Sequence, residues 1–139
     1  MKKETVKFDE GIIDIYQMDF FVYFKILNIF NDEMAIEMTR YIDRNIMERP
    51  EFSVLVWDLY DVPSESYKIT SECTTKIANW SNRIKKKKPG TKSYFIAPEL
   101  LIYGTARMYE LQTGDEAREV VVLKNIEELP KEIRDSIPR

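Results

Sequence analysis

The sequence contains no histidine, and its only cysteine is Cys73. Without histidine there is no Ser-His-Asp or Cys-His relay of the usual kind, and no histidine-ligated zinc. Acid–base chemistry would fall to Asp, Glu, Lys or Tyr. A single cysteine rules out an internal disulfide and fits a reducing compartment, most simply the cytoplasm. A basic excess is missing too. The 21 Lys and Arg residues face 24 Asp and Glu, for a net charge of −3, so no global field draws the chain to nucleic acid or membrane.

An uninterrupted apolar run is also lacking. The greasiest segment, Ile12 to Phe30, is broken by Asp14, Gln17, Asp19, Lys25 and Asn28. Each charge would cost about 2.5–3.5 kcal/mol at a bilayer centre, so the segment reads as sheet and no stable membrane insertion is expected. Met1-Lys2-Lys3 is basic, but Glu4 and Lys7 fall where an apolar stretch would have to begin, and no signal peptide is visible.

What is present is the balance of a folded domain. Apolar residues make up 44% of the chain and charged residues 32%, which argues against disorder. With 139 residues and no repeat or linker, residues 1–139 read as one domain large enough to bury a core without disulfides or metal.

The pattern along the chain is strands first, then alternation. Residues 5–8 read as a short edge strand that Gly11 ends. Ile12–Met18 and Phe20–Leu27 come next as strands joined by a tight reversal at Asp19. In FFVYFKIL nearly every position is apolar, so this strand is central or covered on both faces. Asn31 caps a helix whose Met34, Met38, Tyr41, Ile42 and Ile46 recur at helical spacing, with Asp32 and Glu33 in the first turn. Ser53–Asp58 is the next strand. A second helix begins near Ser64 or Ser66, carries Ile69, Cys73, Ile77, Trp80 and Ile84, and stops at Pro89-Gly90.

Lys92–Ala97 is a strand. A third helix holds Thr105, Met108 and Leu111, and Glu119–Leu123 is the last strand. Asn125 to Glu128 then resembles a capping box, with a short final helix from Pro130 and Ile133 facing inward. The predicted fold class is α/β: a single mixed, largely parallel sheet with an N-terminal antiparallel hairpin and about four helices.

In open α/β sheets, ligands sit outside the carboxyl ends of the strands. Here those ends are Asp58–Glu65, Pro98–Tyr103 and Lys124-Asn125, and the first is the most polar. Ser64 or Ser66 at a helix start would hold an anion or accept a phosphoryl group, or would simply be an N-cap, the commoner role. Asp58, Asp61 and Glu65 offer carboxylates to a hard cation, or only form a solvated loop. Tyr60, Tyr67 and Tyr103 fall near strand ends, where tyrosines line pockets or pack. Arg107, one turn beyond Gly104, reaches either the strand-end crevice or a surface acid such as Glu99 or Glu110. Arg83 and Lys85–Lys88 offer charge to acidic lipid or nucleic-acid phosphates, or simply suit a helix C-terminus, the stronger account because no aromatic ladder accompanies them. Cys73 lies on an apolar stripe, as buried cysteines do. No metal site and no cofactor is expected.

VLVWDLYDV after an amphipathic helix, then KSYFIAP, YGTARMYEL and EVVVLKNIEEL, resembles the SpoIIAA-like family. These are small bacterial domains related to STAS domains and, more distantly, to the CRAL-TRIO lipid carriers. The resemblance runs from about residue 20 to the C-terminus. It implies a mixed sheet with helices mainly on one side, and a non-catalytic role in protein–protein signalling or in binding a small apolar ligand. In anti-sigma antagonists of the wider superfamily, a strand ending in Asp-Leu leads to a phosphorylatable serine within Asp-Ser-Ser-Gly. This chain has Asp58-Leu59 and then Pro63-Ser64-Glu65-Ser66-Tyr67.

The sequence thus points to a non-catalytic, STAS-like interaction module presenting the 58–66 loop to a protein partner or small ligand. The alternative is a carrier of a lipid or other apolar molecule, in a pocket near Trp80 and Tyr103. An enzyme built on Asp58, Asp61 and neighbouring Lys or Tyr is the third reading. A homodimer is compatible with each.

Overall fold

Two successive hairpins and three crossovers build one six-stranded sheet. The structure, a computed structural model, describes residues 2–99, 102, 104 and 120–138. Strands β1 (Lys2–Lys7), β2 (Ile12–Gln17) and β3 (Phe21–Leu27) form an antiparallel meander. Strands β5 (Val54–Asp58), β7 (Lys92–Ile96) and β8 (Val120–Leu123) then add in parallel beside β3, giving the order β1-β2-β3-β5-β7-β8. The expected mixed, largely parallel sheet with its N-terminal hairpin is therefore present. The two long helices are α1 (Asp32–Asn45) and α2 (Ser71–Lys87), and a short α3 (Lys131–Arg134) lies near the C-terminus. The described residues thus hold three α-helices where the sequence pattern predicts about four. The helix expected through Thr105, Met108 and Leu111 lies outside the described residues, as do Tyr103 and Arg107.

Alternation along the strands divides the core between two faces. Val22, Phe24, Ile26, Leu55 and Trp57 point to one face and bury Met34, Met38, Ile42, Trp80 and Ile84 of α1 and α2. Phe21, Tyr23, Val54, Val56, Tyr94 and Ile96 point to the other, where Leu129, Ile133 and Ile137 cover them. This two-sided burial explains the near-continuous apolar reading of β3. On the helical face, Trp57 stacks between Phe24 and Phe95, at centroid distances of 4.7 and 5.8 Å. The three sit opposite one another across β3, β5 and β7, a cross-strand ladder that fixes the parallel register.

Helix starts follow the capping chemistry at one site and depart from it at another. The Asn31 side chain accepts the Met34 amide at 3.0 Å, as its position ahead of α1 predicts. The second helix begins later than expected. Ser64–Ser66 form a 3₁₀ turn without a side-chain cap, and neither serine caps α2. The cap is Thr70, whose Oγ1 accepts the Cys73 amide at 3.1 Å. The reason is a two-strand parallel pairing of β4 (Phe30–Asn31) with β6 (Tyr67–Lys68), which holds residues 67 and 68 extended. Asp32, the first residue of α1, then accepts both the Thr70 amide at 2.9 Å and its hydroxyl at 2.7 Å. The two helix starts are tied to each other, and α2 cannot begin before 70.

The stop at Gly90 agrees with its φ of +88°, a left-handed conformation that favours glycine. Asn125 caps the 3₁₀ turn Ile126–Glu128 through the expected capping box. The final helix starts one residue after Pro130, which is its cap rather than its first residue.

Candidate functional site

Asp58 is the last residue of β5 and is only 5% exposed. A buried carboxylate needs hydrogen-bond donors in place of water. One oxygen, Oδ2, accepts from the Tyr23 hydroxyl. The other, Oδ1, accepts the Tyr60 amide at 2.9 Å, closing an Asx turn just past the strand. Tyr23 lies on β3 two residues before Lys25, which is the register partner of Asp58. Tyr23 and Asp58 therefore share the sheet face away from α1 and α2. Burial, and then the Asp58 carboxylate, raise the Tyr23 phenol above its ordinary value, so it stays protonated and donating at neutral pH.

Around this pair opens a cleft of about 470 Å³, lined by Tyr23, Lys25, Asp58, Tyr60, Asp61, Ile96, Asn125, Ile126, Glu127 and Pro138. It sits at the carboxyl ends of β3, β5, β7 and β8, where ligands meet open α/β sheets. Lys25 Nζ lies 3.8 Å from Asp61 Oδ2 across the opening, a half-exposed ion pair of small energetic weight. Ile96, Ile126 and Pro138 supply an apolar side to an otherwise polar lining. Tyr60 stands at the lip with 60% of its surface exposed, and it is the one large apolar side chain exposed among the described residues.

The sequence-predicted residues divide in space. Asp58 and Asp61 meet in the cleft. Ser64 and Ser66 do not line it: Leu59 and Val62 are buried in the core cluster with α1 and α2, so the loop crosses away from the cleft. Ser64 stays at the strand tips, its hydroxyl 3.1 Å from Glu99 Oε2 just beyond β7. Glu65 is exposed and is not among the lining residues. Tyr67 turns inward onto Phe30, with ring centroids 6.2 Å apart, and burial raises its phenol. Trp80 is buried, and its indole N–H donates to Asp43 at 3.0 Å, joining α2 to α1. Cys73 is buried and carries a free thiol. Burial, with Asp32 next, pushes that thiol up to about 11, an unreactive state at neutral pH. Tyr103 and Arg107 lie outside the described residues.

Three polar cleft residues escape sequence reasoning. Tyr23 reads as one more apolar position of a central strand, because its use depends on the β3–β5 register. Lys25, the charge inside that apolar run, is a signal for one end of the strand. Glu127 is hidden by its membership of the capping-box segment.

Among the described residues no group of three or more His, Cys, Asp or Glu is arranged to hold a metal ion. No described helix is long and apolar enough to cross a membrane. No family model, curated protein or solved structure matches the chain.

Proposed function

We propose that this chain is a non-catalytic interaction module of the SpoIIAA/STAS-like kind, and that it recognises a protein partner through Tyr60 and the adjoining cleft. One observation carries the reading: the buried Asp58 carboxylate holds the Tyr60 backbone and so fixes an exposed tyrosine beside a preformed cleft. Tyrosine provides large contact area at low entropic cost and is enriched among residues that dominate binding energy. Both Asp58 oxygens are already engaged and the Tyr23 phenol is held protonated, which supports a structural role for the pair over general-base catalysis. The free, buried Cys73 supports a reducing compartment such as the cytoplasm.

Affinity capture from the native host, quantified by mass spectrometry, tests the reading. Wild type is expected to enrich a partner that Tyr60→Ala loses at least tenfold, in line with roughly 1.4 kcal/mol or more for a dominant contact. Equal enrichment by the two proteins would remove the basis for the reading.

A second reading, a small-ligand carrier, draws on the cleft volume of about 470 Å³, which exceeds the roughly 300 Å³ at which ligand pockets begin. Its charged lining favours a polar ligand there over a lipid. Native mass spectrometry of protein from its own host separates the two: a bound small mass favours the carrier, and also reports any homodimer.

A further inference from the structure

Among the described residues, the Asp58 carboxylate has two neutral donors and no cation. It lines the cleft although the residue is almost wholly buried. The Tyr23 hydroxyl and the Tyr60 amide each donate one hydrogen bond to it, whereas a carboxylate has sites for about four. No Lys or Arg nitrogen of a described residue lies within 4.0 Å of it. Buried charges are ordinarily paired, because little water is at hand to stabilise them. Lys25, the register partner of Asp58 on β3, does not fill this role, since its Nζ pairs with Asp61 at 3.8 Å. The cleft lining thus sets the carboxylates of Asp58, Asp61 and Glu127 against the single ammonium of Lys25. Ile96, Ile126 and Pro138 form an apolar wall beside them, and the exposed Tyr60 ring stands at the lip.

We propose that the protein partner inserts an arginine side chain into this cleft, with its guanidinium facing the Asp58 and Asp61 carboxylates. This occupant presupposes the partner-binding role proposed for Tyr60. Three features of the lining select it. The buried Asp58 carboxylate lacks a counter-charge, and away from bulk water an incoming cation is attracted more strongly than at an open surface. A phosphate or carboxylate side chain would meet like charge there instead. The apolar wall of Ile96, Ile126 and Pro138 suits a long methylene stem, which extended cations bury while their heads reach polar groups. Arginine fits better than lysine. Its planar fork offers five donors to carboxylates, it stacks on aromatic faces such as that of Tyr60, and it is more weakly hydrated than an ammonium. A cleft of about 470 Å³ has room for such a side chain.

Titration of the full chain with blocked tripeptides, followed by two-dimensional amide NMR, tests this. The probes are acetyl-Gly-Arg-Gly-amide and its citrulline and glutamate counterparts. Citrulline keeps the length and shape of arginine and removes the charge. The arginine peptide is expected to shift the Tyr60, Asp61, Ile126 and Glu127 amides saturably, with a Kd on the order of 1 mM. The other two peptides should bind at least about tenfold more weakly. Asp58→Asn, which removes the charge and keeps the shape, should weaken the arginine peptide about tenfold. If circular dichroism shows that this variant does not fold, Asp61→Asn at its exposed position should weaken binding about threefold. Equal binding of the arginine and citrulline peptides, no saturable shift at these four amides, or unchanged affinity in the folded variant would overturn the proposal. Should a Tyr60-dependent partner nevertheless be captured, only the arginine is rejected and the partner reading stands. Arginine-peptide binding without any Tyr60-dependent partner would reject the partner reading and keep the preference of the cleft for a guanidinium.

Discussion

The Tyr23 hydroxyl donates to the Asp58 carboxylate across the β3–β5 junction, and the other Asp58 oxygen holds the Tyr60 amide. The pair links the middle of the sheet to the loop that leaves it. Tyr23→Phe should keep the ring packing and strip the carboxylate of a donor, costing about 1.5–3 kcal/mol by urea unfolding. Loss under about 0.5 kcal/mol would mean that water replaces the phenol without penalty.

The same phenol sets an alkaline limit. Its folded value is raised above the ordinary 10.0, first by burial and then by Asp58. A raised value means that the folded state favours the protonated form, so this contribution is complete below pH 10 and is lost as pH rises beyond it. Burial raises Tyr67 in the same direction. The urea midpoint should therefore fall as the pH rises from about 10 upward, and Tyr23→Phe should flatten that fall in part. An unchanged slope in the variant would show that Tyr23 carries none of it.

Thr70 carries the N-terminal cap of α2 and a link to α1 through Asp32. Thr70→Ala should destabilise by about 1–2 kcal/mol, whereas Ser66→Ala should stay within about 0.5 kcal/mol of wild type. Thermal and urea melts of the two variants check the contrast. A larger loss from Ser66→Ala would restore the earlier helix start.

Gly11 lies under α1. A Cβ there would stand 2.7 Å from the Met34 methyl and 2.8 Å from Ile29 Cγ2. Both side chains are buried and have little space to retreat. Gly11→Ala is expected to cost about 1–3 kcal/mol through overpacking, read as a shift in the urea midpoint. A neutral result would show that Met34 repacks freely.

Much of this architecture is legible in local sequence because its causes are local. The apolar run of β3, the Asn31 cap, the Asn125–Glu128 box and the Pro89-Gly90 stop each depend on neighbouring residues, and each is found in place. The start of α2 is not legible in that way. Ser64, Ser66 and Thr70 all carry a cap-forming hydroxyl, and the choice is made by pairing of Tyr67–Lys68 with Phe30–Asn31, more than 30 residues upstream. The site divides on the same principle. Asp58 at a strand end is readable from the abrupt close of VLVWD, whereas Tyr23 becomes its partner only through the β3–β5 register. Expecting Ser64 and Ser66 beside Asp58 treats the loop as short and straight, while buried Leu59 and Val62 draw it toward the helices.

Photo-crosslinking at position 60 tests the recognition surface most directly. A benzophenone amino acid placed there in the native host, with a second protein carrying it at exposed Arg44 on α1, reports what touches each side chain in the cell. The expected result is a discrete crosslinked protein from position 60 that position 44 does not yield, and that disappears when Asp58→Ala releases the turn. Identical crosslinks from the two positions, or none from position 60, would contradict a partner-binding role for Tyr60 and the cleft beside it.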